Sequence, residues 1–301
     1  MVAIVVFSWL ALRNSWTEVG EAMKQLTVFD IVAAAVALVV STWGMYRAWR
    51  VILEGLHATE LRGSDARTMF YCAQLGKYVP GSVWPALIQT EIGKRSHLPR
   101  PTVLTSYLFS MIASVGVGGC LSVLVLTHGT TTWVVIVAIG ATVAGAAACI
   151  GFSHPSGSGR AVRWIAQRRA SAADMRELDV RTSVKVLAWT LFGWVAMGLH
   201  ATLLARPFGG SLRDGLFVLG SFALAWLCGF IALPLPAGAG IREAVLVVTL
   251  GRLIGHPAAI SVALVSRMLM IVNDLVLSTV AGLPRIVREI RERGDVALVE
   301  E

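Results

Sequence analysis

The 301-residue chain is 56% hydrophobic and only 15% charged, with a formal net charge of +8. Soluble domains carry about 25% charged residues, so this balance excludes an ordinary soluble domain and indicates a helical integral membrane protein. The basic excess does not indicate nucleic acid: no basic patch lies in a soluble segment large enough to fold, and Lys and Arg gather in the cytoplasmic loops of membrane proteins.

In chain order, Val2–Leu12 is a short apolar run. No basic stretch precedes it and no small-residue cleavage site follows, so it reads as a short first span or an incompletely inserted helix rather than a signal peptide. Val28–Leu53 is a full span ending in "WGMYRAWR", an aromatic and basic interfacial anchor. Gly63–Ser96 is apolar but carries Lys77, Pro80-Gly81 and Pro85 in its middle. Val103–Thr127 and Trp133–Phe152 are two spans around the turn "HGTT". A polar loop follows, with a short interfacial helix expected near Val162–Arg169. Val184–Ala205 is a further span. Leu216–Leu233 is interrupted by "PLPAGAGIRE" before Ala244–Ile254 resumes, and Pro257–Leu283 is the last span before a charged tail, Arg285–Glu301. None of these runs alternates with period two, which excludes a transmembrane β-barrel. Cys72, Cys120, Cys149 and Cys228 lie in apolar segments without CxxC spacing. They read as small buried hydrophobes, with neither a metal site nor a disulfide indicated.

The distribution of Lys and Arg orients the spans. Gly157–Lys185 holds seven cations (Arg160, Arg163, Arg168, Arg169, Arg176, Arg181 and Lys185) and belongs in the cytoplasm, whereas Thr127–Trp133 has none and belongs outside. Arg47, Arg50, Arg62 and Arg67 before the broken segment, and Lys94, Arg95 and Arg100 after it, put both its ends on the cytoplasmic side. Each arm of Gly63–Ser96 is about 12–14 residues, roughly 20 Å at the α-helical rise, too short for a hydrocarbon core of about 30 Å. A re-entrant helical hairpin fits. The arginines of "RIVREIRER" put the C-terminus inside, so Leu216–Gly255 begins and ends outside and reads as a second hairpin entering from the opposite face. The competing reading makes Leu216–Leu233 and Ala244–Ile254 ordinary helices joined by a loop.

The expected architecture is therefore an all-α, polytopic membrane domain with two inverted repeats, each holding a broken hairpin. Repeat one covers about residues 28–127 and repeat two about 184–283, with a cytoplasmic loop at about 155–184 and a cytoplasmic tail at 285–301. Paired interrupted segments of this kind point to a transporter-type binding site.

Broken helices also carry a chemical expectation. The start of a second arm exposes backbone N–H groups at the positive end of a helix dipole, which favours anions and phosphates in particular. Gly81 permits close backbone approach and Ser82 is a good N-cap for the first hairpin's second arm. Gly238 and Gly240 open the backbone of the second tip. Lys77 sits one turn before the first break, Arg242 and Glu243 just after the second, and Arg267 and Asp274 inside the last span. Ionisable residues within spans mark function by default. The structural alternatives stay open: Lys77 snorkels to an interface, Arg242 pairs with Glu243 or Asp274, and Arg267 pairs with Asp274. Tyr78 and Trp84 flank the first tip, either lining a lipid pocket or packing. Most of the six histidines fall at loop edges, where solvation is expected. No HExxH, GxSxG or Walker A pattern is present, so neither catalysis nor a cofactor is expected.

"QLGKYVPGSVWPALIQTEIGKR" and "LPLPAGAGIREAVLVVTLGRLIGHPAAISVALVSRMLMIVNDLV" resemble the two hallmark regions of the lysylphosphatidylglycerol synthase transmembrane-region family, a flippase-like domain that also occurs alone. Gly76, Lys77, Tyr78, Pro80, Gly81 and Trp84 match the first pattern; Pro234, Pro236, Gly238, Gly240, Glu243 and Arg267 match the second. The resemblance implies lipid translocation across the cytoplasmic (inner) membrane, with aminoacylated phosphatidylglycerol or polyprenyl-phosphate-linked sugars as cargo. The aminoacyl-transferring domain would need hundreds of further residues, which shifts the expectation towards a lipid made by a separate enzyme. The substrate-contacting set expected is Lys77, Tyr78, Gly81, Ser82, Trp84, Gly238, Gly240, Arg242, Glu243, Arg267 and Asp274. The expected function is a lipid flippase for a phosphate-bearing lipid. The alternative is a non-transporting membrane scaffold that partners a lipid-modifying synthase or glycosyltransferase, with the loop Gly157–Lys185 as its docking surface.

Overall fold

A computed structural model describes residues 16–57, 61–79, 83–128, 131–154, 175–231, 238 and 240–299, the first three and the last sixteen of these for backbone only. The described elements are four short 3₁₀ turns and ten α-helices: α1 (Trp16–Gln25), α2 (Val28–Leu56), α3 (Gly63–Gln74), α4 (Trp84–Lys94), α5 (Arg100–Ser122), α6 (Thr132–Ser153), α7 (Val180–Ala205), α8 (Gly215–Ile231), α9 (Ile241–Ile254) and α10 (His256–Val299). No strand occurs among them. Six segments are long and apolar enough to cross a membrane: Val28–Leu56, Arg100–His128, Thr132–Ser153, Val180–Phe208, Leu212–Ile231 and His256–Leu283. The chain is a polytopic all-α membrane protein. Val2–Leu12, the segment 162–169 and most of the cytoplasmic loop fall outside the described residues.

Local chemistry sets several helix starts. The Asp30 N–H donates to Thr27 Oγ1 at 3.2 Å while the Thr27 N–H donates to Asp30 Oδ2 at 3.1 Å, a reciprocal cap that opens α2. Asp179 caps α7 by accepting from the Thr182 N–H at 2.9 Å. That cap starts α7 four residues before the expected Val184 and takes Arg181 into the helix. α10 continues through Pro284 to Val299, so the last span and the charged tail form one helix, although Pro284 donates no backbone bond there.

The side-chain distribution is that of a bundle facing lipid. Ile136, Val143 and Ile150, seven residues apart on α6, are 66%, 65% and 68% exposed, a stripe that repeats every two turns and presents β-branched side chains outward. Buried positions on the spans mix large apolar residues such as Trp49 and Ile52 with small or weakly polar ones such as Ser41, Gly44 and Ala48 on α2, and the small ones let helices approach closely. Ser41 Oγ donates to the Gly193 carbonyl at 2.8 Å, tying α2 to α7.

The packing is reciprocal. α2 lies along α7; α3, the first arm of the first broken pair, packs on α10; α8, the first arm of the second pair, packs on α5. α3 packs on α4 and α8 on α9, and each second arm then packs on the span that follows it, α4 on α5 and α9 on α10. The two broken pairs differ in length. α3 and α4 have 12 and 11 residues, whereas α8 has 17 and, with the turn before it, is long enough to cross a membrane by itself.

Candidate functional site

The two breaks face the same interior space. In the first, α3 tightens into a 3₁₀ turn over Leu75–Tyr78, and Val79 is extended. Gly76 makes this turn possible: a Cβ there would stand 2.7 Å from the Pro85 backbone nitrogen and 2.9 Å from the Trp84 carbonyl carbon. The tip is thus folded directly onto the start of its own second arm. Val83 holds the N-cap position of α4 and makes no side-chain cap; Gly81 and Ser82 lie outside the described residues. Trp84 opens α4, 42% exposed and outside the cavity lining.

The second break repeats the device. Gly238 has φ +65°, and a Cβ on it would lie 2.6 Å from the Gly229 Cα on the preceding arm. Gly240, at φ +91°, leads into α9. Both conformations favour glycine. Because the obstructing atoms at Gly238 are backbone, Gly238→Ala is expected to cost about 1–3 kcal/mol, read as a lower unfolding temperature in detergent.

α10 connects the two tips. Arg267, Met270, Asn273 and Asp274 recur at three- and four-residue intervals on one face. Arg267 Nη1 meets Glu243 Oε1 at 2.9 Å, and the other Glu243 oxygen accepts from the Gly240 N–H at 2.6 Å. Asp274, 4% exposed, accepts from Tyr78 Oη at 2.5 Å and pairs with Lys77 Nζ at 2.7 Å. Asn273 Nδ2 donates to Thr42 Oγ1 at 3.0 Å, bringing in α2. One face of α10 therefore holds the second tip through a cation and the first tip through an anion.

Arg267 and Asp274 do not pair with each other. Two turns separate them by about 10 Å along the axis, and each finds an opposite charge on a different hairpin. The N-terminus of α9 also differs from expectation: its Gly240 N–H is already held by the Glu243 carboxylate, so side chains rather than that N–H face the interior.

Arg242 is the distinctive group. Its neighbour Glu243 points to Arg267, and no carboxylate among the described residues lies within ion-pair distance of Arg242. Its guanidinium sits 4.6 Å over the Phe222 ring and donates to Met270 Sδ at 3.1 Å. Aromatic and thioether contacts hold a guanidinium in place without neutralising it.

These groups enclose a cavity of about 290 Å³, near the lower end for ligand sites. Lys77, Tyr78, Gly238, Arg242, Arg267 and Asp274 all line it. The ionic cluster counts three cations (Lys77, Arg242, Arg267) against two carboxylates (Glu243, Asp274), leaving one positive charge over.

A family model described as "Lysylphosphatidylglycerol synthase TM region" matches residues 1–278. The chain belongs to this family. Comparison with curated proteins returns no match. Family membership and the six apolar helices together make it a multi-pass membrane protein.

Several lining residues were not expected from the sequence. Gln74 and Gln89 are single amides in the two arms, and Tyr107 and Ser114 lie in a span where they are not distinguished from other hydroxyl residues such as Thr105, Ser106 and Ser110. A polar side chain inside a membrane segment is itself the signal that would have flagged the amides. His200 also departs from the loop-edge pattern: it is fully buried in α7, with Nδ1 2.9 Å from the Ala34 carbonyl and Nε2 3.0 Å from Ser266 Oγ.

Proposed function

We propose that this family member is a lipid flippase that moves a phosphate-bearing lipid, a polyprenyl-phosphate-linked sugar or a modified phospholipid or glycolipid, across the cytoplasmic membrane without covalent chemistry. The observation that carries the reading is Arg242, a cation on the wall of an intramembrane cavity with no carboxylate partner among the described residues. Burying a lone charge is expensive, and a phosphate oxygen is the acceptor a guanidinium fits best. Lys77 and Arg267 stand on the same wall. The phosphate would compete with Asp274 and Glu243 for these cations, so binding would loosen both tips from α10.

The reciprocal packing supports the inverted-repeat reading, in which α3–α4 and α8–α9 are hairpins opening to opposite faces with both chain termini in the cytoplasm. Alternating release of the two tips would expose the head group first to one side and then to the other, while the tail stays in the bilayer. A cavity of about 290 Å³ is of the size of a head group, which suits this division.

The reading is tested by identifying the lipid that co-purifies with the full chain, by native mass spectrometry. A phosphate-bearing lipid is expected on the wild-type protein and is expected to be lost on Arg242→Ala. Retention of the same lipid by the variant, or a bound lipid lacking phosphate, overturns it.

A further inference from the structure

Most hydroxyl groups on the cavity wall are already satisfied by backbone. Thr42 donates to Leu38, Ser110 to Tyr107 and Thr190 to Val186, each within its own helix. Four neutral polar side chains on the same wall behave differently. Gln74, Gln89, Tyr107 and Ser114 line the cavity and make no side-chain hydrogen bond among the described residues. Gln89 is only 2% exposed, with its Oε1 enclosed and unpartnered, and Ser114 is 8% exposed. The Trp194 indole N–H, also on this wall, is enclosed without a partner. Gln74 and Tyr107 are half-buried, while Gln89 Oε1, the Trp194 N–H and Asn273 Oδ1 are enclosed and unpaired on this wall; a buried polar group left unpaired costs about 1–3 kcal/mol, so these mark a place where partners arrive with a ligand.

The chemistry of these groups narrows the ligand. Amides and hydroxyls both donate and accept, as do the hydroxyls of a polyol. A cationic head group would need a carboxylate, and both nearby ones are committed: Asp274 to Lys77 and Tyr78, Glu243 to Arg267 and the Gly240 N–H. A cation would also meet Arg242. Trp194 and Trp226 stand edge to face at 5.4 Å, and Trp226 stacks on Phe230 at 5.3 Å, giving the same wall flat apolar surfaces for the C–H faces of a ring.

Resting on the phosphate reading above, we propose that the head group beyond the phosphate is an uncharged ring polyol, a sugar or an inositol, held by Gln74, Gln89, Tyr107, Ser114 and the Trp194 N–H. An aminoacyl or amino-alcohol head is not the preferred cargo.

The test uses three lipids with identical dioctanoyl tails: phosphatidic acid, phosphatidylinositol and phosphatidylethanolamine. Their Kd values are measured on the full chain in detergent by calorimetry. Phosphatidylinositol is expected to bind about tenfold more tightly than phosphatidic acid, the equivalent of one or two net hydrogen bonds, despite its lower charge. Phosphatidylethanolamine is expected to bind no more tightly than phosphatidic acid. Gln89→Leu with Ser114→Ala is expected to remove most of the inositol advantage and to leave phosphatidic acid within about twofold. Tyr107→Phe gives a milder loss in a variant that keeps its packing. Equal binding of the inositol and unsubstituted lipids, or tightest binding of the ethanolamine lipid, overturns the polyol assignment while leaving the phosphate reading intact. If phosphatidic acid does not bind, or binds equally to Arg242→Ala, the phosphate reading itself falls and the polyol assignment falls with it. The wild-type series decides between these outcomes even if a variant fails to fold.

Discussion

Arg242→Ala is expected to reduce translocation of a phosphate-bearing lipid by roughly 10- to 100-fold, the equivalent of one or two charge-assisted hydrogen bonds lost. The expectation follows from what the residue does not do. Arg267 and Lys77 each have a carboxylate at 2.9 and 2.7 Å, so part of their attraction for an anion is spent before cargo arrives. Arg242 is held by Phe222 and Met270, which fix its position and leave its charge. Because it anchors no tip, its removal is expected to lower stability little. Arg242→Lys should recover only part of the activity, because an ammonium lacks the planar fork that stacks on Phe222 and grips two phosphate oxygens. Unfolding temperature measured beside transport separates this loss of binding from a loss of fold.

Asp274→Ala is expected to have the opposite profile, with a destabilisation of about 1–3 kcal/mol, less than the cost of breaking a fully buried pair because the Lys77 side chain is 36% exposed and partly screened by solvent. Asp274 is 4% exposed and holds two residues of the first tip at once, Lys77 at 2.7 Å and Tyr78 at 2.5 Å. Without it, Lys77 loses its counter-charge and the 3₁₀ turn loses its tie to α10. Asp274→Asn retains an acceptor for Tyr78 but not the charge for Lys77, and its loss should be smaller. Thermal unfolding in detergent orders the three proteins: wild type first, then asparagine, then alanine. Equal stability of all three would mean that α10 does not hold the tip through this carboxylate.

These two residues also show how far the sequence could be read. The helices follow from apolar runs bounded by charge, whereas the caps at Thr27–Asp30 and Asp179 emerge only in the structure, and the second moves the start of α7 to Val180. The two breaks follow from Pro80-Gly81 and from the glycines of "PLPAGAGIRE". Lys77, Arg242 and Arg267 are conspicuous because a cation is costly in an apolar segment. Pairing is not legible in the same way. Spacing rules reach three or four residues along one helix, whereas Tyr78 and Asp274 are 196 residues apart. Proximity in the chain assigns Glu243 to its neighbour Arg242, whereas its carboxylate holds the Gly240 N–H and reaches Arg267, 24 residues away.

The glycines show the same limit. Gly76 and Gly238 belong to the motifs that carried the family resemblance, and sequence alone suggests flexible or open backbone at such positions. The geometry gives a more specific reason: each lies where a tip folds against its own hairpin, leaving no room for a methyl group. The unpartnered amides were the least visible feature. One glutamine in an arm carries no periodicity, and its meaning emerges only when Gln74 and Gln89 are seen on one cavity wall.

The most direct measurement is lipid translocation by the purified full chain in liposomes, using a phosphate-bearing lipid whose head group is destroyed by an impermeant reagent outside. With wild-type protein, the fraction of lipid accessible to the reagent should rise with time above that in protein-free liposomes, and Lys77→Ala combined with Arg242→Ala should abolish the rise. Equal accessibility with wild-type protein and without protein, or undiminished translocation by the double variant, would contradict the proposed site and its role.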